Sequence, residues 1–330
     1  MTAEEHKQYI ESLQNELQAK LDEMEKTRKS VREIQSTLWK EKVASTAPTE
    51  IIINNAKQFG PMDDVFFNQV SEDPQAIGEI ISAILGVSVK VREVIPQYTI
   101  SQIGSRGVRL DALAVVDVEL LEDCRFGEKG TFVNIEMQKI KDEAHTNRVF
   151  YNAASLLVNN TPRGTEYKDL PKVIEIYISS FDIFHDGRMY YEVRRVVAET
   201  GKVVESPVTE IYVNTSELDG IDPNDAKMKR IAALMELFKE PGRYDPAFPE
   251  FTRRKKEIRE TKEGVMRMSQ ELQYYMDEQV REGELRGKLE GATETVDRML
   301  AKNKYSSEEI ADNAGVPLDF VLERAGQKAV

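Results

Sequence analysis

Apolar residues recur at three- and four-residue intervals near the start of the chain. Ile10, Leu13, Leu17, Met24, Val31, Ile34 and Leu38 occupy a and d positions of a heptad repeat. No Gly or Pro interrupts residues 3–42, so one long helix is expected there. Lys20 and Thr27 break the d positions and Leu21 lies off the seam, which makes the expected coiled coil short and imperfect. The same pattern also fits a solvated helix packed back on its own domain. Residues 43–49, with Pro48, read as a linker.

The periodicity changes between about residues 50 and 218. Residues 63–85 predict a helix, or two short ones interrupted near Pro74. Ile77, Ile80, Ile81, Ile84 and Leu85 share one face of it, and Gly86 is placed to end it. Residues 87–94, 108–120 and 130–139 have strand patterns, the last two separated by a turn-like stretch at 122–130. Residues 144–157 are helical, with Val149, Ala153, Leu156 and Leu157 on the buried side. Residues 172–179 predict a mostly buried strand, and 189–197 and 210–214 further antiparallel ones. This order is that of a mixed α/β domain.

The remainder of the chain is helical in pattern. Residues 225–239 form one amphipathic segment ended by Pro241 and Gly242, and 250–300 is a long charged stretch with few breakers. Within it Gly283, Gly287 and Gly291 recur every four residues, a spacing at which two helix backbones can approach closely. The last unit, 306–325, opens on a Ser-Ser-Glu-Glu cap, turns at Gly315 and starts a second helix at Pro317. The expected organisation is a helical segment at 1–46, an α/β core at 50–218, a helical extension at 219–300 and a small helical tail at 301–330.

Composition narrows the function classes. Of 330 residues, 40% are hydrophobic, enough for a real core, and 31% are charged, as long solvated helices require. The one cysteine, Cys124, excludes a disulfide framework and a cysteine-based metal site, which fits a reducing cytoplasm. No apolar stretch follows a basic tip at the start, so no signal peptide is expected. No run approaches the length of a membrane span, so a cytoplasmic protein without a membrane partner is expected. The net charge is −13, and its excess is greatest in residues 47–218. That balance argues against a DNA-coating protein, which draws on phosphate neutralisation by Lys and Arg. A metal site tolerates it, because a bound cation offsets clustered carboxylates.

Candidate chemistry sits on two of the strands. In 108–118, Asp111 shares a face with Leu113, Val115 and Asp117, and a carboxylate in so apolar a strand costs free energy unless it is paired or holds a cation. In 131–139, Asn134, Glu136 and Gln138 share a face. If the two strands pair as a hairpin-like unit, Asp111 and Glu136 become cross-strand neighbours with Cβ atoms about 5 Å apart. Two such carboxylates suit one Mg²⁺ that keeps several waters, and Gln138 could orient a water or lend its carbonyl to the ion. By pattern alone, the solvent face of a half-buried strand is the favoured reading of Glu136 and Gln138.

At these residues the chain resembles the PD-(D/E)XK nuclease family transposases, also called the recombination-promoting nuclease family. The resemblance rests on Arg-Leu-Asp111-Ala-Leu-Ala, on Val-Asn-Ile-Glu136-Met-Gln138, and on a following helix with Arg148 and Tyr151. Met-Asp-Asp-Val-Phe-Phe at 62–67 and the segment 167–178 add to it. It runs from about residue 59 to 260, with the Gly-spaced helix and the 306–325 tail also typical, and it leaves out residues 1–46. It implies a restriction-endonuclease-like core, a mixed sheet flanked by helices. It implies Asp111 and Glu136 as ligands of Mg²⁺, with Mn²⁺ as a substitute, and Gln138 where many enzymes of the wider fold carry Lys. A neutral Gln cannot supply the positive charge that Lys places beside the transition state. Asp64 matches an Asp at the start of the family's first helix, where an acidic residue is also favoured by the helix dipole. Arg148 and Tyr151, about one turn apart, can both face the site. Arg148 could grip a phosphate or pair with Asp142 or Glu143.

The function implied is Mg²⁺-dependent cleavage of DNA phosphodiester bonds in recombination or transposition, by a chain that self-associates through its helical ends. The alternative is a catalytically weak or inactive nuclease-fold protein serving as an oligomeric interaction, defence or regulatory module. RNA as substrate is not separated from DNA. Three further features carry less. His6, His145 and His185 make no metal-ligand spacing; His145, just before Arg148, could approach the site, but a surface position is expected for it. The basic run 253–256 could touch a DNA backbone, though Glu257 and Glu260 beside it fit a solvated helix face. Residues 306–325 have the outline of a helix-turn-helix, yet the second helix has no basic residue before Arg324, which favours packing or self-association.

Overall fold

The computed structural model describes residues 57–100, 107–118, 131–141, 145–302 and 304–328, together with Lys20, Lys26, Thr27, Ser30 and Ile34. The coiled coil expected at 3–42, apart from those isolated helical positions, the linker at 43–49 and the turn at 122–130 lie outside the described residues. Two compact units divide the chain, Met1–Ser269 and Gln270–Val330.

The first unit is built on a six-stranded mixed sheet. Strands β1 (Val89–Ile100), β2 (Val108–Val118) and β3 (Thr131–Gln138) form an antiparallel meander. Then β4 (Val173–Ser179) runs parallel to β3, β6 (Val208–Asn214) runs parallel to β4, and β5 (Tyr190–Val193) closes the edge antiparallel to β6. Strand order across the sheet is β1-β2-β3-β4-β6-β5. The parallel pair β3–β4 needs a crossover, which α3 (His145–Asn159) supplies, as parallel strands require.

Alternation along each strand decides what each face packs on. Ala112, Ala114 and Val116 of β2, Val133, Ile135 and Met137 of β3 and Ile174, Ile176 and Ile178 of β4 face one large apolar cluster. Helices α1 (Asp64–Ser71), α2 (Pro74–Leu85), α4 (Ala226–Lys239) and α5 (Pro249–Glu260) fill it with Phe66, Phe67, Ile80, Ile84, Phe238 and Phe251. On the opposite face α3 lays Val149, Ala153 and Leu156 over Leu113, Val173, Tyr177 and Tyr212. β4 is covered on both faces and is accordingly buried along its whole length.

Local signals account for most boundaries. Residues 64–85 form two helices because Pro74 opens the second, where its missing N–H is no loss, and Asp73 caps it by accepting from the amides of Gln75 and Ala76. Gly86 ends it at φ +76°, the left-handed conformation that favours glycine.

The long charged stretch after 250 departs from expectation. It breaks at Thr261, which is extended between α5 and α6 (Lys262–Lys302), and the Thr261 hydroxyl accepts from Gly264 N. A Cβ on Gly264 would stand 2.2 Å from the Glu257 carbonyl oxygen and 2.6 Å from that of Ile258. Gly264→Ala is therefore expected to destabilise the first unit by about 2 kcal/mol, through backbone overlap that no side chain can relieve. A lower urea midpoint with an unchanged slope is the expected result.

The basic run 253–256 keeps Lys256 exposed, as a solvated face would, while its other three residues tie helices together. Arg253 pairs with Asp73, Glu250 and Glu257, and Arg254 donates to the Gln69 carbonyl and Glu72. Lys255 is wholly buried, and its Nζ donates to the carbonyls of Leu237 (2.6 Å), Arg243 (2.9 Å) and Glu240 (3.3 Å) at the end of α4.

In the second unit α7 (Ser307–Ala314) opens with the expected capping box, in which Ser306 accepts from Glu309 N and Glu309 accepts from Ser306 N. It turns at Gly315, φ +65°, into α8 (Leu318–Lys328). Val296 of α6, Ile310, Ala311 and Val321 form its core, and Arg324 grips Asp297 through two hydrogen bonds. Gly283, Gly287 and Gly291 are exposed, and within the chain a Cβ at each would meet open space. No helix among the described residues is long and apolar enough to cross a membrane.

Candidate active site

The β2–β3 ladder stops at Ala112↔Ile135, and the next pair in that register is Asp111 and Glu136. There the side chains take over from the ladder. Asp111 N donates to Glu136 Oε1 (3.3 Å), and Met137 N donates to Asp111 Oδ2 (2.9 Å). On the other side of β2, Gln97 stands between the pairs Pro96↔Ala112 and Tyr98↔Leu110, opposite Asp111, at φ +52°. A non-glycine residue held in the left-handed region is strained, and such strain gathers at functional sites. Asp111 thus sits where regular pairing fails on both flanks.

Electrostatics mark the same place. Burial, opposed by the Met137 hydrogen bond, pushes the Asp111 carboxyl up to about 7. Glu136 is held well above the usual carboxylate range by burial first and by Asp111 beside it second. Asp64, exposed as a residue, has its carboxyl raised by the protein packed around it and by Asp63. It adds its negative charge to the field at Asp111, while Arg109 and Arg148 oppose it. At one end of the sheet Asp64 thus raises Asp111, and Asp111 raises Glu136. Among the described residues, however, no group of three or more His, Cys, Asp or Glu side chains is arranged to hold a metal ion. The carboxylates that meet across β2 and β3 are two, Asp111 and Glu136, each hydrogen-bonded to a backbone amide of the other strand.

Gln138, two residues beyond Glu136, is tied at both ends of its amide: Nε2 donates to Ile140 O (2.6 Å), and Oε1 accepts from Arg148 Nη2 (3.0 Å). Arg148 also donates to Tyr177 OH (2.8 Å), and Tyr177 OH lies 2.6 Å from His145 Nδ1. A guanidinium only donates, so the Tyr177 hydroxyl accepts from Arg148 and donates to His145, which leaves the His145 proton on Nε2. Contrary to the surface position expected for it, His145 is buried, against Phe181 and Tyr177. Tyr151, one turn on from Arg148, stands on the exposed side of α3. Lys139, the next residue, pairs with Asp63, and its charge opposes the rise of the Asp64 carboxyl.

Sequence reasoning passed over Glu175 and the part played by Asn134. Asn134 Nδ2 donates both to Glu136 Oε1 (3.0 Å) and to Glu175 Oε2 (2.8 Å), and burial pushes Glu175 up to about 8. The signal was present: a lone Glu in the apolar strand Val-Ile-Glu-Ile-Tyr-Ile is the same anomaly that singled out Asp111.

These shifts set a pH dependence. Asp111 and Glu175 bind protons more tightly folded than unfolded. The stability they contribute is full below about pH 4 and is lost as pH rises through about 7 and 8. Thermal midpoints in metal-free buffer are expected to fall between pH 5 and pH 8, and Asp111→Asn should flatten that slope. A wild-type midpoint indifferent to pH across this window would contradict the burial of these charges.

Comparison with curated proteins and with solved structures found no match for this chain. The model of one family, described as PD-(D/E)XK nuclease family transposase, matches residues 106–288, which hold β2, β3, α3 and the rest of the sheet beyond β1. That match spans more than half of the chain and includes Asp111, Glu136, Gln138 and Arg148. The chain belongs to the PD-(D/E)XK nuclease family transposases.

Proposed function

We propose that the chain is a divalent-metal-dependent endonuclease that hydrolyses DNA phosphodiester bonds, in recombination or transposition. The observation that carries this reading is the Asp111–Glu136 pair, two hard-oxygen donors with raised carboxyls at a break in the sheet of a nuclease-family chain. Such a donor set fits a hard dication that keeps most of its waters, Mg²⁺ by preference with Mn²⁺ as a substitute. A dication there supplies electrophilic stabilisation of phosphodiester oxygens and makes water easier to deprotonate. Asp111 and Glu136 would hold it, from half-buried positions on neighbouring strands. Gln138 receives Arg148, so a guanidinium stands next to the position where the wider fold carries Lys. Arg148, braced by Tyr177 and His145, would supply the missing positive charge to the scissile phosphate. Asp64 supports the acidic field, and Tyr151, exposed on the same helix, lies where a nucleotide could reach it. The cytoplasm, and self-association through the helical ends, belong to the same reading.

The test is nicking of supercoiled plasmid in Mg²⁺ or Mn²⁺. Wild type is expected to nick, Glu136→Gln to be inactive, and Arg148→Ala to be slower by on the order of a hundredfold, with Arg148→Lys intermediate. Equal rates for wild type and Glu136→Gln would overturn the proposal. The neutral Gln138 favours a second reading, a nuclease-fold module that assembles without cutting. Metal-independent oligomers with no nicking would establish it.

A further inference from the structure

Within the buried sheet, two polar atoms share one contact and each lacks a partner. Glu175 is 1% exposed and Asn134 is fully buried, and they face each other in the β3–β4 register. Asn134 Nδ2 donates to Glu175 Oε2, yet Glu175 Oε1 and Asn134 Oδ1 are buried without a hydrogen-bond partner. Each of these two bare oxygens carries a desolvation cost. On its other side Glu175 is paired in register with Glu210, a like charge whose Oε2 is already taken by Tyr212 OH.

One proton on Glu175 Oε1, directed at Asn134 Oδ1, relieves all three costs. It satisfies both orphan atoms, removes the charge opposite Glu210, and closes the pair of opposed hydrogen bonds by which an acid and an amide dimerise. It also fixes which way the Asn134 amide points, and so aims the second Nδ2 proton at Glu136 Oε1. We infer that Glu175 is a positioning residue, held in the neutral acid form, that acts through Asn134 to fix Glu136 Oε1 for cation binding. Its role in positioning rests on the reading of Asp111 and Glu136 as a metal-holding pair; its protonation does not.

Glu175→Gln and Glu175→Leu test this in the full-length chain. Gln preserves both hydrogen bonds of the pair without any charge. It is expected to keep Mn²⁺ affinity by calorimetry, and plasmid nicking, within about threefold, whereas Leu weakens Mn²⁺ binding by about ten- to a hundredfold. Infrared difference spectra of wild type against Glu175→Gln, two nearly isosteric proteins, are expected to show a protonated-carboxyl stretch at pH 7 that is lost in the variant. Absence of that band, or a Gln variant as impaired as Leu, would overturn the inference, since either means that Glu175 acts as an anion. A Leu variant with wild-type Mn²⁺ affinity would equally end the positioning role. If wild type itself neither binds Mn²⁺ nor nicks DNA, the nuclease reading has failed, and the infrared band alone then decides the Glu175–Asn134 pair.

Discussion

Replacing Asp111 by Asn is expected to cut plasmid nicking by well over a hundredfold while raising the thermal midpoint of the metal-free protein at pH 8. The two effects share a cause. Asp111 and Glu136 stand where the β2–β3 ladder has ended; burial pushes Asp111 up to about 7, and burial together with the Asp111 charge holds Glu136 well above the usual range. At pH 8 Asp111 is largely charged, and the fold bears that charge beside Glu136, whose carboxyl is held well above its ordinary range, whereas a bound dication turns the same clustering into affinity. Asn keeps a side-chain oxygen for the Met137 amide and removes the charge. It therefore preserves the local structure, relieves that clustering and abolishes cation binding. Loss of an outer-shell partner alone typically costs 10–100-fold in metal affinity or activity, and loss of a direct donor should exceed that. The combined readout separates a functional carboxylate from a structural one, whose removal would lower stability.

Lys255→Met is expected to produce the largest loss of stability, about 3 kcal/mol or more, seen as a urea midpoint lower by roughly 1 M. The Lys255 ammonium is the common partner of three carbonyls around the end of α4; Met fills the space but gives no donor to those of Leu237, which is buried, and Arg243, while Glu240 O keeps the Arg243 amide. Three acceptors match the three protons of the charged amine, although burial pushes that amine down to about 7. That lowering fixes the sign of the linked pH effect. Between about pH 7 and pH 10 the unfolded chain holds a proton that the folded chain tends to release, so stability rises with pH across that window. Met should remove that rise along with the stability. A variant as stable as wild type would show that the basic run 253–256 faces solvent after all.

How far the sequence anticipates this molecule depends on whether a feature is local. The break at Pro74, the turn at Gly86 and the capping box at Ser306 each arise from a few adjacent residues, and each appears in the fold. Strand parity set Glu136 and Gln138 on one face and allowed Asp111 beside them, and the antiparallel register delivers that pairing. Where partners are distant in sequence, the reading runs out. Charged residues through 250–300 look continuous, because nothing local reveals that Gly264 must pack on the carbonyls that end α5. Lys255 looks exposed within Arg-Arg-Lys-Lys, since its acceptors come from residues 237–243. His145 looks like a surface residue until α3 is laid over β4 and its ring meets Tyr177. Arg148 could be weighed only as a phosphate grip or a partner of Asp142 or Glu143; its bond to Gln138 belongs to the tertiary fold. Asn134 and Glu175 show the same limit, being 41 positions apart in sequence and adjacent in the sheet.

The central claim is that Asp111 and Glu136 jointly hold a hard dication. Anomalous diffraction from crystals soaked in Mn²⁺ tests it most directly. The account predicts a peak within coordination distance of both carboxylates, absent in Asp111→Asn crystals soaked in the same way. No peak between them, or a peak that persists in Asp111→Asn, would contradict it.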